Sequence, residues 1–306
     1  VIEFGVQTRG DYDHVLAVAR WAEERGLQAF ALPDHYLQRG DDTEKPAWDH
    51  LIHLAALARE TTRIRLVSLV SPVTFRHPAV LYKMGVTLDE VSGGRFTLGL
   101  GAGWMQEEFT LFGLPYPDTT TRVAMMVEAM GYLRAAIDPG PVGFEGQHYT
   151  LAEIDPRPHP IDLRLMAGGA GNAKARQMTA LYADEYNLYA CPSERYREVV
   201  EKTGALAVDA GRRPEDILWS SAGPAVAAKK EADYRRLLER LAGLTRQTTE
   251  RIEQVYAERQ YPHGSGSKAA EMVSALEEAG CRLYYPQIFG QDLADYDIVF
   301  DAYMDI

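Results

Sequence analysis

The chain is poor in cysteine, in positive charge and in long apolar runs, and each shortage removes a class of protein. Only Cys191 and Cys281 occur among 306 residues. They lack the close spacing of a zinc or redox motif and cannot form a disulfide scaffold; two reduced thiols fit a cytoplasmic protein. Acidic side chains outnumber basic ones 44 to 32, a formal charge of −12. Phosphate backbones and anionic lipid repel such a chain, so neither a nucleic acid nor a membrane is an expected partner. No apolar run approaches the roughly 18 residues of a membrane span. The most apolar stretch, 51–58, is broken by His53 and followed by Arg59. The first six residues have no basic start and are interrupted by Glu3, which reads as a strand rather than a signal peptide. The first residue is Val1, so the start reads as processed or trimmed. Glycine (26) and proline (16) stay well below the level of a disordered chain. The expectation is a soluble, cytoplasmic, folded protein, large enough to bury a core without disulfides or metals.

What is present is a rhythm. Apolar β-rich runs at 2–7, 28–32, 64–70, 96–100, 164–167, 185–189, 217–221 and 282–289 alternate with helical patterns. The first of these helices, 13–25, carries Val15, Leu16, Val18, Ala19 and Ala22 as one stripe and is stopped by Gly26. Pro78 stands where a helix start tolerates it. Two stretches interrupt the alternation. Residues 139–163 are rich in proline and glycine, with a hairpin turn at 146–149. Residues 228–262 are highly charged, with Tyr234, Leu237, Leu238, Leu241 and Leu244 at helical spacing. This second stretch reads as two helices broken near Gly243. Eight β–α units demand a parallel sheet. They predict a single domain over 1–306, a (β/α)8 TIM barrel with insertions after strands four and seven. A doubly wound open sheet is the competing arrangement.

In such a barrel the active site lies where the strands end. Asp34-His35 follows strand two, an acid and an imidazole suited to proton handling or metal binding; a pair that only satisfies loop backbone fits the position equally. No His-x-His or other clustered ligand set accompanies it, so a metal is not expected. The run Gly99-Leu100-Gly101-Ala102-Gly103 misses the dinucleotide fingerprint, because position 104 is Trp where a third glycine belongs. Its small residues instead leave backbone room for a flat, bulky ligand. Gly168-Gly169-Ala170-Gly171-Asn172 follows strand five and opens a helix, where backbone N–H groups cradle a phosphate or form a plain flexible loop. Lys174 and Arg176 stand nearby. Tyr36, Trp104, Met105, Tyr189 and Phe289 near the same rim suit an aromatic ring system or simple packing.

Four segments resemble a known family. They are Phe30-Ala31-Leu32-Pro33-Asp34-His35; 64–68 with Phe75-Arg76-His77-Pro78-Ala79; Ser92-Gly93-Gly94-Arg95 running into Gly99-Leu100-Gly101-Ala102-Gly103-Trp104; and 167–171 with 183–187. Over nearly its whole length the chain resembles the bacterial-luciferase-like superfamily of flavin- and deazaflavin-dependent oxidoreductases, and within it the coenzyme F420-dependent branch. The resemblance implies a cofactor ring at the C-terminal face of the barrel and hydride transfer, with the cofactor supplying the difficult step. It places Asp34 and His35 near the ring as catalytic and cofactor-binding residues. It implies a non-proline cis peptide bulge behind the ring, with Ser68-Leu69 the matching step and Val70 its neighbour. Gly101, Gly103 and Trp104 flank the ring. Ala167, Gly168, Gly169, Ala170, Gly171 and Asn172 match the cofactor-phosphate loop. Glu107 or Glu108 stands where some members place a catalytic glutamate, and the spacing does not choose between them.

The substrate implied is a small organic molecule. Pro72-Val73-Thr74-Phe75 has one residue more than the run of sugar-phosphate-oxidising members, so that activity does not carry over. The insertions are expected to roof the pocket. The family commonly forms homodimers through helices such as 48–61 and 78–91. A flavin or F420 reductase is the expected source of reduced cofactor. An FMN-dependent monooxygenase using O2 is the alternative reading; a non-catalytic flavin-binding protein and a metal-dependent barrel hydrolase come after it.

Overall fold

A computed structural model of the protein describes residues 1–38, 43–288 and 292–304. The chain begins with β1 (Glu3–Gln7), α1 (Tyr12–Glu24), β2 (Ala29–Leu32), α2 (His50–Glu60), β3 (Arg65–Pro72), α3 (Pro78–Ser92) and β4 (Phe96–Gly101). Then come α4 (Gln106–Leu111), α5 (Thr119–Ile137), the hairpin β5 (Val142–Glu145) and β6 (Thr150–Ile154), β7 (Arg164–Gly169), α6 (Ala173–Tyr182), β8 (Glu185–Tyr189) and α7 (Ser193–Asp209). The last part holds β9 (Leu218–Pro224), β10 (Val226–Ala228), α8 (Glu231–Thr245), α9 (Thr249–Arg259), β11 (His263–Ser265), α10 (Lys268–Glu278), β12 (Leu283–Gln287) and α11 (Leu293–Tyr303).

Eight of these strands close into a parallel barrel in the order β1-β12-β9-β8-β7-β4-β3-β2. The fold is therefore the (β/α)8 barrel that the alternation implies, and the open-sheet alternative falls away. Both strand faces are covered, which is why β4 is buried at every residue and reads as one apolar run. The outward faces pack on the helices in the main core. The inward faces form a second, smaller core of Ala29, Ala31, Val67, Leu69, Met166, Ala222, Leu283 and Tyr285.

Local chemistry sets the helix ends. Asp11, Asp49, Asp118 and Asn172 each accept a backbone N–H of the helix that follows. Ser92-Gly93-Gly94-Arg95 is a splice between α3 and β4. Gly93 takes the left-handed conformation (φ 71°) that ends the helix. Arg95 spends all five donors on Ser92, Thr61, Ile64 and Ala58, which joins the end of α2 to the start of β4. This motif holds the scaffold and lies away from the chemistry.

Two expectations shift. The charged segment does form two helices, but Gly243 lies inside α8 and the break comes at Arg246 (φ 54°). The eighth strand ends at Gln287, and Phe289 lies outside the described residues. Among the described residues no helix is long and apolar enough to cross a membrane.

One carboxyl is sealed inside the barrel. Glu185 opens β8 and is buried, with the Tyr285 hydroxyl 3.2 Å away. Burial pushes its carboxyl up to about 7, and bonds from Ser220 and Tyr285 reverse only part of that rise. A raised folded value means that the folded state holds the extra proton, so stability falls as pH climbs from about 4.5 through 7. The loss is about 3 kcal/mol at 1.36 kcal/mol per unit. Urea unfolding at pH 5 and pH 8 checks this. Glu185→Gln should flatten the wild-type decline between the two; an unchanged decline would refute it.

Candidate active site

The strands deliver their ends to one mouth, and the polypeptide leaving β2 brings two adjacent residues there with opposite fates. Asp34 turns inward and is 1% exposed. Its Oδ2 accepts from Arg76 Nη1 at 2.5 Å, and its Oδ1 lies 3.1 Å from His50 Nδ1. Burial pushes the Asp34 carboxyl up, but His50 first and Arg76 after it outweigh burial and hold it at about 2. Arg76 also donates to Asp49 at 2.6 Å, the residue that caps α2.

His35 turns the other way, its side chain 21% exposed. Its Nδ1 lies 3.1 Å from both carboxylate oxygens of Glu108. Glu108 sits on α4, itself 1% exposed, and its Oε1 also accepts the backbone N–H groups of Tyr36 (2.7 Å) and Leu37 (3.0 Å). One carboxylate therefore fixes both the imidazole and the loop that carries it. Glu107 is exposed, so of the two glutamates Glu108 is the partner of His35. Trp104 stands edge-on to His35 at 5.7 Å and is 69% exposed. A cavity beside His35 is bounded by Arg9, Trp48 and His53.

The floor of the mouth is built by the end of β3. Its register against β4 shifts between Ser68 and Ser71. The non-proline cis peptide is Leu69–Val70, one step beyond the expected Ser68–Leu69. Gln7 Nε2 donates to Leu69 O at 2.6 Å, Gln287 donates to Gln7, and the Tyr189 hydroxyl donates to Gln287 at 3.4 Å. This arc ties the ends of β3, β1, β12 and β8 together.

The glycines of β4 have a different use from the one expected. A Cβ on Gly101 would stand 2.6 Å from Val70 Cγ2, and one on Gly168 would stand 2.9 Å from Val70 Cγ1. The space they leave is filled by Val70 rather than held open for a ligand. Gly103 (φ 76°) makes its turn against Phe109 and Pro72.

Across the mouth, Gly168 and Gly169 end β7, and Gly171 (φ 77°) starts the turn into α6. Asn172 caps α6 through Ala175 N–H. Gly171 O accepts from Arg176 Nη1 at 2.6 Å and from Arg195 Nη2 at 3.1 Å, so two guanidiniums gather at the N-terminus of a helix. Ala170 is exposed, whereas Ala167 is wholly buried in the main core. Ala167 therefore supports the loop from behind and cannot contact a ligand. Among the described residues no three potential ligands stand together to hold a metal ion.

Comparison with known proteins fits this geometry. The model of the luciferase-like monooxygenase family matches residues 3–282. The chain belongs to that family. Pyrimidine monooxygenase RutA of Caulobacter sp. (strain K31) is 30% identical over 55% of this luciferase-like chain and 48% of its own length. The F420-dependent glucose-6-phosphate dehydrogenase of Kineococcus radiotolerans is 33% identical over 50% of this chain and 46% of its own length. The chain thus spans about half the length of the curated relatives it matches. Monooxygenase RslO1 from Streptomyces bottropensis superposes with a TM-score of 0.79 at 20% identity, over 99% of this chain and 98% of that one. An F420-dependent secondary alcohol dehydrogenase holding an F420–acetone adduct gives 0.78 at 18% identity, over 99% of both chains. At such identities the likeness is one of fold. The matches include enzymes named as F420-dependent and enzymes named as monooxygenases.

Sequence reasoning reached Asp34, His35, the strand-one end at Gln7 and the Glu107/Glu108 choice but missed His50 and Arg195 as parts of the site. His50 had a signal: with Leu54 and Leu57 it lies on the buried stripe of α2, where a polar side chain needs a partner. Arg195 had none, since it lies 24 residues from the loop it meets.

The Asp34 network can be tested by its acid response. A depressed carboxyl contributes stability that is present above its unfolded value near 3.8 and is lost as pH falls through about 2. Asp34→Asn should cost about 2 kcal/mol at pH 7, the product of the shift and 1.36 kcal/mol per unit. The gap to wild type should narrow by about half at pH 3 and vanish only below the folded value. Denaturant unfolding at pH 7 and pH 3 measures both, and a gap independent of pH would contradict the ion-pair account.

Proposed function

We propose that this chain is a hydride-transferring oxidoreductase that uses the deazaflavin coenzyme F420 on a small organic substrate. The observation that carries the reading is the rim imidazole, His35, backed by the buried Glu108 and open to the mouth beside Trp104. The residues present fit a phosphate-bearing ring cofactor. The N-terminus of α6 supplies backbone donors, and Arg176 and Arg195 supply positive charge, for an anion. The Leu69–Val70 segment at the end of β3 offers an apolar surface against which a ring can lie. When bound, the deazaflavin gives or accepts a hydride and leaves the protein to manage the proton.

The residues divide that work. With Nδ1 committed to Glu108, His35 has Nε2 left to exchange a proton with a substrate oxygen. With the coenzyme supplying the hydride exchange at the substrate carbon, His35 would take the hydroxyl proton of an alcohol or return it to a carbonyl oxygen. Glu108 holds the ring in place, the role of a carboxylate behind a catalytic imidazole. Asp34 is a positioning residue, because it lies behind the mouth and touches nothing that enters it. Glu107, exposed on α4, takes no part in this scheme.

The second reading is an FMN-dependent monooxygenase that uses O2 and a reductase partner. The likeness to RutA proteins favours it. The same floor and phosphate loop would accept FMN, and O2 chemistry then replaces substrate hydride transfer. A second copy of the chain is the proposed partner in either case, at the face carrying the exposed Trp48, Ile52 and Val80 of the α2 and α3 ends.

Side-by-side fluorescence titration of the protein with F420 and with FMN separates the two. Tighter binding of F420 supports the first reading; tighter binding of FMN, with substrate-dependent O2 consumption, replaces it with the second. With the preferred cofactor bound, His35→Ala should lower kcat by about 10²- to 10⁴-fold and leave the cofactor dissociation constant nearly unchanged. A His35→Ala protein with full kcat would remove His35 from the chemistry.

A further inference from the structure

Behind the floor lies a buried chain of polar groups that the proposed chemistry does not use. His50 opens α2 and is 2% exposed. Its Nε2 meets Ser68 Oγ at 2.8 Å and Ser71 Oγ at 3.1 Å, and the two hydroxyls meet each other at 2.9 Å. The three groups form a closed triangle. On its other side His50 Nδ1 faces Asp34 Oδ1 at 3.1 Å, and Asp34 is held by Arg76. The order Asp34–His50–serine is that of a nucleophilic relay, but both serines are wholly buried and nothing in the mouth can reach them. A relay with no access to substrate has one thing left to do, which is to hold.

What it holds is defined by the chain. Ser68 and Ser71 bracket the register shift in β3, and between them lie Leu69 and Val70. Leu69 O is the group that Gln7 ties into the arc across the mouth, and Val70 is the side chain seated against Gly101 and Gly168. We propose that His50 is a positioning residue for the ring that docks at this mouth, acting through its Nε2 bonds to Ser68 and Ser71 to fix the height of the Leu69–Val70 floor. The proposal rests on the reading of the mouth as the site of a flavin or deazaflavin.

The two nitrogens of His50 can be separated by substitution. The amide nitrogen of glutamine reaches the place of Nε2, facing the serines. The amide nitrogen of asparagine reaches the place of Nδ1, facing Asp34. His50→Gln, His50→Asn and wild type are each titrated with F420 and FMN, with fluorescence for the dissociation constant and absorbance for the band of the bound ring. His50→Gln should bind within about twofold of wild type with an unmoved band. His50→Asn should bind about tenfold more weakly, the size of one lost hydrogen bond, with the band moved toward that of the free ring.

Two equal variants, or the reverse order, would overturn the proposal, since the serine-facing bonds would then not set the floor. Should His50→Asn fail to fold, Ser71→Ala removes one corner of the triangle and leaves Asp34 paired; wild-type affinity and band in that protein would overturn the proposal as well. Wild type that binds neither cofactor would overturn the docking reading together with this one. Wild type that binds while the variants match it would overturn this one alone.

Discussion

A carboxylate taken out of water costs several kcal/mol unless opposite charge and hydrogen bonds meet it. Asp34 is such a carboxylate, and meeting it organises the β2–β3 side of the barrel mouth. Its two partners come from separate stretches of chain: His50 from the start of α2, Arg76 from the turn before α3. Arg76 reaches on to Asp49, whose other oxygen caps α2. His50 reaches on to Ser68 and Ser71 in β3. One buried charge thus locates a helix start, a loop and the irregular end of a strand. Removing any member takes a partner from another buried polar group.

The neighbouring residue uses the same turn for the opposite purpose. His35 leaves the backbone toward the mouth, and Glu108 meets it there while accepting two N–H groups of the β2 loop. The imidazole and its loop share an anchor, so the reactive ring cannot be displaced without unfastening the backbone that carries it. Such sharing is a cheap form of preorganisation: the bonds that order the loop already stabilise the fold, and no separate entropy is lost on orienting the side chain. It also explains why an acid and a histidine adjacent in sequence act as two devices. They lie on opposite sides of the chain, one facing a closed interior and the other an open rim.

The barrel is legible in the sequence because its strands are covered on both faces and its helices on one. The first condition writes continuous apolar runs and the second writes stripes. Features that depend on a single local choice are less legible. Gly243 reads as a helix break, but glycine in a helix costs only about 1 kcal/mol. The buried Leu237, Leu238 and Leu241 of α8 outweigh that, and the helix runs on to Thr245. The parallel pair β10–β11 is three residues long on each side and too short to show a period. The site is legible where a strand end names it and illegible where it depends on distance along the chain. Asp34 meets Arg76 across 42 positions and His35 meets Glu108 across 73, and no spacing rule connects them. That is why Glu107 and Glu108 could not be told apart until burial separated them.

The glycines at the ends of β4 and β7 belong to the same constraint as Asp34. In sequence they look like room for a ligand. In the fold a Cβ on Gly99 would lie 2.2 Å from Ser68 O, and those on Gly101 and Gly168 would strike Val70. With any side chain at these positions the 68–71 segment could not leave the regular register of β3. Ser68 and Ser71 could then not both turn toward His50, and His50 would lose the partners that let it stand buried beside Asp34. The absence of three side chains on one side of the barrel mouth and the burial of one charge on the other are therefore two requirements of a single piece of backbone, which is also the piece that any ring in the mouth must meet.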